Sequence, residues 1–251
     1  MRIYVLNFRK HRLLFGILSV TVIAAGLFFL CFGLNGGFNS FAVPAAGEES
    51  DKLIIIDAGH GGEDIGATGT SGVFEKDLNL EIALELGRQL SDAGYVVLYT
   101  RTDDRLLYKA DEDIKGLRKI SDLKNRCAIA DEHPEALFIS IHMNSFGESK
   151  YSGTQVYYSE NSEDSKKLAS DIQSAVKKDV QPENKRTIKS GNEIYILKNI
   201  KSPAVLIECG FITNADECAR LSEKEYQKQL SSSIVCGIIE YMNTKTAQSN
   251  G

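Results

Sequence analysis

The sequence predicts an α/β fold: a single three-layer domain in which a mostly parallel, six-stranded central sheet is flanked by helices. From residue 52 onward, short apolar strand-like runs alternate with longer amphipathic segments, which is the pattern of a parallel sheet with helices on its faces. Three of the runs lead into a polar residue beside Gly or other small residues, at His60, His142 and Glu208. Because ligands bind beyond the carboxyl ends of the strands in open α/β sheets, these side chains are expected to share one cleft.

Each element follows from its own pattern. The strand-like runs are short and rich in aliphatic residues or tyrosine, and they occupy residues 53–56, 95–99, 136–141, 155–158, 193–197 and 204–207. Three longer segments carry apolar residues three or four positions apart, as in helices with one buried face: residues 77–93, 164–180 and 223–242. The first of these helices is followed by Gly94, a typical stop signal.

The least regular part of the chain is the highly charged segment at residues 103–124. Long loops in compact domains are uncommon and tend to be functional or disordered. A solvated surface loop is the favoured interpretation, and an element at the edge of the substrate or partner site is the alternative. Residues 159–162 and 181–190 are predicted to be polar connections.

The N-terminal part differs in kind from the rest. Residues 1–12 carry four basic side chains, and residues 13–34 are apolar or small. Such a segment can cross a bilayer as a helix, and basic residues before it keep the N-terminus in the cytoplasm. We expect a basic cytoplasmic n-region at 1–12, a transmembrane signal anchor or a cleaved signal peptide at 13–34, a tether at 35–51, an exported catalytic domain at 52–243 and a tail at 244–251.

Charge and cysteine content exclude two classes of site. The net charge is −5, from 29 basic and 34 acidic residues, so the charge does not indicate that the protein binds nucleic acid. One of the five cysteines lies in the apolar N-terminal segment, and the absence of a CxxC spacing argues against a cysteine metal site. Disulfides remain open outside the cytoplasm. Unpaired core cysteines are expected at Cys127, Cys209, Cys218 and Cys236.

The candidate site consists of His60, Glu75, His142 and Glu208. Two imidazoles and a carboxylate are the usual three protein ligands of a catalytic zinc, and a further carboxylate commonly serves as general base. His60 is flanked by glycines that let the backbone turn sharply. The other two of the four histidines lie before the apolar N-terminal segment and before a proline in a turn, so neither competes well for this role.

Single residues leave alternatives open. An isolated His is commonly a satisfied polar residue, and Glu75 could instead complement the dipole of the following helix, by ~0.3–1 kcal/mol. Glu63, Asp64 and Asp77 could fill that minor role as well. Glu208 is a sharper signal, because a carboxylate at the end of an apolar strand is costly to bury unless it is paired or linked to a metal. Together the residues favour a metal-dependent hydrolase.

Five motifs carry a resemblance to a known family. They occur in order at residues 56–62 (IDAGHGG), 75–79 (EKDLN), 100–101 (TR), 140–144 (SIHMN) and 208–214 (ECGFITN). The set resembles the zinc-dependent N-acetylmuramoyl-L-alanine amidases, a family of bacterial cell-wall hydrolases, over about residues 53–242.

This resemblance implies an α/β fold with a six-stranded sheet, Zn²⁺ held by His60, Glu75 and His142, and Glu208 as the catalytic carboxylate. The implied reaction is hydrolysis of the amide between N-acetylmuramic acid and the L-alanine of the peptidoglycan stem peptide. Glu208 would accept a proton from the attacking water and later deliver one to the leaving amine. Asn144 is expected to shape the loop beside His142, with a substrate contact and a simple turn-stabilising role both open.

Within the family the chain is most similar to the sporulation amidases of the CwlD type. The support for this similarity is its short membrane-anchored form and its motifs at 122–126 and 152–158. This similarity implies that stem peptides are removed from muramic acid so that a deacetylase can generate muramic-δ-lactam in the spore cortex. The expected location is the outer face of the cytoplasmic membrane, the cell wall or the forespore intermembrane space.

One departure from the family pattern is Ala58, which stands where proline is common. Without the proline ring the turn before His60 is more flexible, so activity could depend on a protein partner that orders the metal site. Two other functions remain open: a non-catalytic peptidoglycan-binding scaffold on the same fold, and a zinc peptidase or deacetylase acting on the cell wall. The presence of all four site residues argues against the scaffold.

Overall fold

A computed structural model describes residues 52–108, 111, 113–114 and 116–249, apart from the side chains of 248 and 249. The predicted n-region, anchor or signal peptide, and tether therefore lie outside the described residues. Within the described part of the chain, no helix has the length and apolar character needed to cross a membrane.

The strands form one six-stranded sheet in the order β2-β1-β3-β6-β4-β5. All neighbouring pairs are parallel except β4 and β6, which run antiparallel, so the predicted mostly parallel sheet is confirmed. The bounds are β1 Leu53–Ala58, β2 Val96–Tyr99, β3 Leu137–Asn144, β4 Gln155–Tyr158, β5 Lys189–Ser190 and β6 Ala204–Phe211.

Helices cover both faces of the sheet. Their bounds are α1 Glu75–Asp92, α2 Arg118–Asp131, α3 Glu163–Asp179, α4 Tyr195–Asn199, α5 Ala215–Leu221 and α6 Lys224–Ser249. Helix α6 packs against α1 and α3 in one layer, and α2 packs against α4 in the other. The three-layer architecture is therefore the predicted one.

Side-chain alternation along the strands divides the core into two clusters. Ile54 and Ile56 of β1 face the larger cluster, where α1, α3 and α6 pack, whereas Ile55 between them faces the smaller cluster with α2 and α4. Strands buried on both faces read as continuous apolar runs, which is why β1, β3 and β6 could be recognised in the sequence. These three central strands carry the candidate site at their carboxyl ends.

The prediction of a strand at residues 193–197 is wrong. Tyr195–Asn199 form the short helix α4, and its buried residues Ile196 and Leu197 pack into the smaller core cluster. A run of apolar residues this short has no period that separates a strand from a helix turn. The sixth strand is instead Lys189–Ser190, inside the predicted polar connection at 181–190. It is a two-residue exposed edge strand without an apolar pattern.

Other boundaries differ as well. Helix α1 begins at Glu75 rather than at residue 77, and α2 begins within the charged segment 103–124. Helix α6 continues to Ser249, so the predicted tail at 244–251 is helical as far as it is described. The four described cysteines are free, and Cys127, Cys209 and Cys218 are buried. Cys236 is exposed, so the expectation of a core position is wrong for that residue.

Candidate active site

The sheet topology brings the four predicted site residues together. His60 follows the end of β1, His142 lies near the end of β3, and Glu208 lies on β6. Strand β3 pairs with both β1 and β6, and His142 is the register partner of Glu208. Glu75 is the first residue of α1, and its carboxylate contacts the His142 ring.

His60, Glu75 and His142, hereafter the ligand triad, point their donor atoms at one another. Glu75 Oε1 lies 3.2 Å from His60 Nε2 and 3.0 Å from His142 Nδ1. One potential ligand atom from each of the three residues lies within 4.8 Å of the others, and the imidazole ring centroids are 4.9 Å apart. This geometry makes the triad a candidate metal site.

The carboxylate of Glu75 is fixed by backbone donors. Glu75 Oε2 accepts a hydrogen bond from the Ala67 amide at 2.8 Å, and Oε1 accepts one from the Met143 amide at 3.1 Å. Burial alone would raise the pKa of Glu75, but hydrogen bonds with His142 and His60 hold its pKa well below the usual range. Glu75 is therefore an ionised, oriented candidate ligand, and a role limited to the helix dipole does not account for these contacts.

Asp64 orients the ring of His60, a contact that the sequence analysis did not identify. Asp64 Oδ2 lies 2.9 Å from His60 Nδ1, so the Nδ1–H of the metal-binding tautomer can donate to this carboxylate and leave Nε2 facing the triad. Burial would lower the pKa of His60, but the hydrogen bonds with Asp64 and Glu75 raise it to about 9. Asp64 had been considered only for the helix dipole.

Two glycines allow the ligands to approach each other. A Cβ added at Gly59 would lie 2.2 Å from His142 Nε2, and one added at Gly66 would lie 2.5 Å from Glu75 Oε2. His60 itself has a φ of 62°, the only positive φ of a non-glycine residue in the described part of the chain. A β-carbon at either glycine would displace a triad side chain, so this tight arrangement depends on both.

Glu208 is the unpaired carboxylate of the site. Its Oε2 atom is buried and has no hydrogen-bond partner among the described residues. Burial raises the pKa of Glu208 to about 7, with His142 opposing this shift and Glu75 adding to it. Because its register partner His142 belongs to the triad, the unused acceptor lies beside the candidate metal site. A carboxyl with a pKa near neutrality can both accept and donate a proton.

The turn that carries His60 is held from below by Arg126, a residue whose role the sequence analysis missed. Its guanidinium donates to the carbonyls of Ala58 and His60, each at 2.8 Å, and to the carboxylates of Asp57 and Asp122 at 2.5 and 2.8 Å. Both Arg126 and Asp57 are almost completely buried. In the sequence, the only signal for this pair was Asp57, an acid at the end of an apolar strand, and nothing indicated that Arg126 is its partner.

Arg101 supports the same turn through carbonyls. Its guanidinium donates to the backbone oxygens of Ala58, Gly59, Asp103 and Lys76 at 2.8–3.0 Å. The acid-pairing arginine of this core is Arg126. Ala58, which lacks the proline ring, thus has its carbonyl fixed by two guanidinium groups.

Asn144 is the last residue of β3, two positions beyond His142. Its backbone carbonyl accepts a hydrogen bond from the Ile212 amide at 2.9 Å, and the β3–β6 register shifts between His142 and Asn144. The contact that the structure shows for Asn144 is therefore a backbone contact that closes the end of the β3–β6 pair.

The chain matches a protein-family model and individual known proteins. The family model described as N-acetylmuramoyl-L-alanine amidase matches residues 54–240. The germination-specific N-acetylmuramoyl-L-alanine amidase of Bacillus subtilis (strain 168) is 34% identical over 226 residues, which cover 89% of this chain and 92% of the relative.

Solved structures give the same result. The CwlD amidase from Clostridioides difficile, in complex with the GerS lipoprotein, superposes with a TM-score of 0.73 and 40% identity over 77% of this chain and 99% of that chain. An N-acetylmuramoyl-L-alanine amidase from Clostridium difficile 630 gives a TM-score of 0.67 and 32% identity, over 77% and 97% of the two chains. The chain therefore belongs to the N-acetylmuramoyl-L-alanine amidase family of peptidoglycan hydrolases.

Proposed function

We propose that this amidase is zinc-dependent and that Glu208 is its catalytic acid and base. The observation that carries the proposal is the buried Oε2 of Glu208, which lacks a hydrogen-bond partner in the described structure and lies beside the ligand triad. A buried acceptor left unpaired is costly, so its retention at this place supports a functional role.

The donor set of the triad fits zinc. Two imidazoles and one carboxylate are the protein ligands of many catalytic zinc sites, in which a further coordination position stays open. His60 is oriented by Asp64, as metal-binding histidines commonly are by a carboxylate. When bound, zinc supplies a Lewis acid that polarises the scissile carbonyl and lowers the pKa of water.

Glu208 then carries out the proton transfers of the hydrolysis. In its ionised form it accepts a proton from the attacking water, and in its protonated form it delivers one to the nitrogen of the leaving L-alanine. In the metal-free site, burial raises the pKa of Glu208 to about 7, so both forms are accessible near neutral pH. The Ala67 and Met143 amides hold both oxygens of Glu75 and so orient its carboxylate in the site.

Product analysis of the full chain tests this function. Peptidoglycan treated with the zinc-loaded protein should gain L-alanine amino termini while its glycan strands remain intact, and chelation should abolish the reaction until zinc is restored. New amino termini other than L-alanine would identify a peptidase, and released acetate would identify a deacetylase. Binding of peptidoglycan without any product would instead support the scaffold.

Zinc binding should release protons, because His60 is protonated near neutral pH when no metal is present. The pKa of His60 is raised to about 9, so near pH 7 its Nε2 carries a proton that a metal must displace. We expect the apparent zinc affinity to rise with pH up to about 9 and to level off above it. Titration calorimetry in buffers of different ionisation enthalpy measures the released protons, and a pH-independent affinity would contradict this expectation.

We further propose a role in spore cortex maturation. The support is the likeness to the germination-specific amidase of Bacillus subtilis and to the CwlD amidase. Removal of the stem peptide frees the lactyl carboxyl of muramic acid. A deacetylase in the same pathway then releases the acetyl group as acetate, and the exposed amine condenses with the carboxyl, with loss of water, to form muramic-δ-lactam. Deletion of the gene should eliminate the lactam from cortex muropeptides, and an unchanged lactam content would contradict the proposal.

A protein partner and an extracytoplasmic location are part of the same proposal. The solved CwlD structure contains the GerS lipoprotein, and the basic and apolar segments at 1–34 favour export.

Since the carbonyl of Ala58 is fixed by Arg101 and Arg126, the turn before His60 is supported without the proline ring. Tight stoichiometric zinc binding by the isolated full chain would refute dependence of the metal site on a partner.

A further inference from the structure

A basic cavity lies between residues 150–153, residues 180–186 and helix α5, and neither the ligand triad nor Glu208 lines it. Its volume is about 530 Å³. Four cationic side chains line it: Lys150, Lys185, Arg186 and Arg220. Arg186 is partly buried and the other three are exposed, so each is accessible from solvent.

The acidic side chains of the cavity do not cancel this charge. Glu183 and Glu217 are the two carboxylates in the lining. Glu217 is only 1% exposed, and its oxygens accept hydrogen bonds from the amides of Gly153 and Phe211 at 2.9 and 2.7 Å. Its acceptor capacity is therefore turned inward, away from any ligand. Lys150 pairs with Glu148, but Lys185, Arg186 and Arg220 outnumber the exposed Glu183, so the accessible wall has an excess of positive charge.

Arg186 is held in place by protein contacts that leave donors free. Its Nε donates to the carbonyl of Ser152 at 2.7 Å, its Nη1 donates to Gln155 Oε1 at 3.2 Å, and its guanidinium lies 4.3 Å from the centroid of the Phe211 ring. A guanidinium has five N–H groups, so donors remain for a ligand. A pre-oriented arginine loses little side-chain entropy on binding and matches a carboxylate with two parallel hydrogen bonds.

The same contacts connect Arg186 to the catalytic site. Gln155, which accepts from Arg186, is the register partner of Glu208 in the β4–β6 pair. Directly opposed residues of antiparallel strands have their Cβ atoms about 4.5–5.5 Å apart. Arg186 is thus separated from Glu208 by one side chain, that of Gln155.

We propose that this cavity is a subsite for a carboxylate of the stem peptide, with Arg186 as its main contact. The proposal rests on the amidase function proposed above and adds the part of the substrate that lies beyond the L-alanine. Phe211, which supports Arg186, is three residues beyond Glu208 on β6, or roughly 10 Å at the rise of a strand. An extended peptide advances about 3.3–3.6 Å per residue, so the second or third residue of the stem reaches the cavity.

Kinetics with paired substrates test the subsite. The probes are N-acetylmuramoyl tripeptides whose second and third residues carry either free carboxylates or carboxamides. In the full-length zinc-loaded protein, Arg186→Gln should raise KM for the free acid about 10-fold or more, with little change in kcat. The effect on the amidated substrate should be less than about 2-fold, and Arg220→Gln should show the same selectivity more weakly because Arg220 is exposed.

Binding without turnover separates this proposal from the amidase function. The Glu208→Gln protein should bind the free-acid tripeptide more tightly than the amidated one, and adding Arg186→Gln should remove that preference. Arg88→Gln is the matched control, since Arg88 lies on α1 and takes no part in the cavity. Equal binding of the two tripeptides, or a loss that is the same for both, would overturn the subsite even if hydrolysis is observed.

Discussion

Replacing Glu208 by glutamine should lower kcat by about 10²–10⁴-fold, the usual contribution of a general acid and base. Glutamine has nearly the same shape but cannot accept the proton of the attacking water or return one to the leaving amine. Since Glu208 lies outside the ligand triad, zinc content should stay at the level of the parent protein. Muropeptide analysis and metal analysis on the same preparation measure the two quantities.

The same substitution should leave the metal-free protein at least as stable as its parent near neutral pH. The pKa of Glu208 rises from 4.5 to about 7 on folding, so the folded state binds this proton more tightly than the unfolded state does. Stability of the parent therefore falls as the pH increases through this interval, and a neutral glutamine removes that loss. Glu135→Gln, at an exposed position before β3, is the matched control for both measurements. Full activity of Glu208→Gln would assign the proton transfers to another group.

The approach of His60, His142 and Glu208 to one another could be predicted because each lies at or after a recognisable apolar run, whereas Glu75 was indicated only by the resemblance to the amidases. β1, β3 and β6 are apolar runs that lead into His60, His142 and Glu208, and parallel strands place their carboxyl ends at one edge of the sheet. The contacts that orient the site could not be predicted from the sequence. Asp64 and Asp57 each gain their role from a partner that only the fold supplies: the ring of His60 and the guanidinium of Arg126.

The errors in the fold have a similar origin. Lys189–Ser190 become a strand because β4 offers them an edge, and nothing in two exposed polar residues indicates pairing. Tyr195–Asn199 become a helix because Ile196 and Leu197 fill the smaller core cluster from one face. Tertiary context decides such short segments, whereas the long apolar runs and the periodic helices are decided locally.

Replacing Arg126 by methionine should destabilise the metal-free protein by about 3–5 kcal/mol, because it leaves a buried carboxylate without its counter-charge. Asp57 is 0% exposed, and burial alone would raise its pKa, which Arg126, Ser140 and Thr100 together hold below the ordinary value. The variant also loses the donors to the carbonyls of Ala58 and His60, so zinc affinity should fall with stability. Chemical denaturation with chelator present measures the first effect free of ligand stabilisation.

Arg118 provides a control on the same helix. It also pairs with two carboxylates, Asp113 and Glu63, but these are largely exposed, and Arg118→Met should cost less than about 1 kcal/mol. The Arg126 effect should shrink as the solution becomes acidic, because burial without Arg126 raises the pKa of Asp57 and its protonation removes the unpaired charge. Combining Arg126→Met with Asp57→Asn should cost less than the sum of the single variants, because the two side chains contact each other. Additive, pH-independent losses would show that Arg126 acts only through packing.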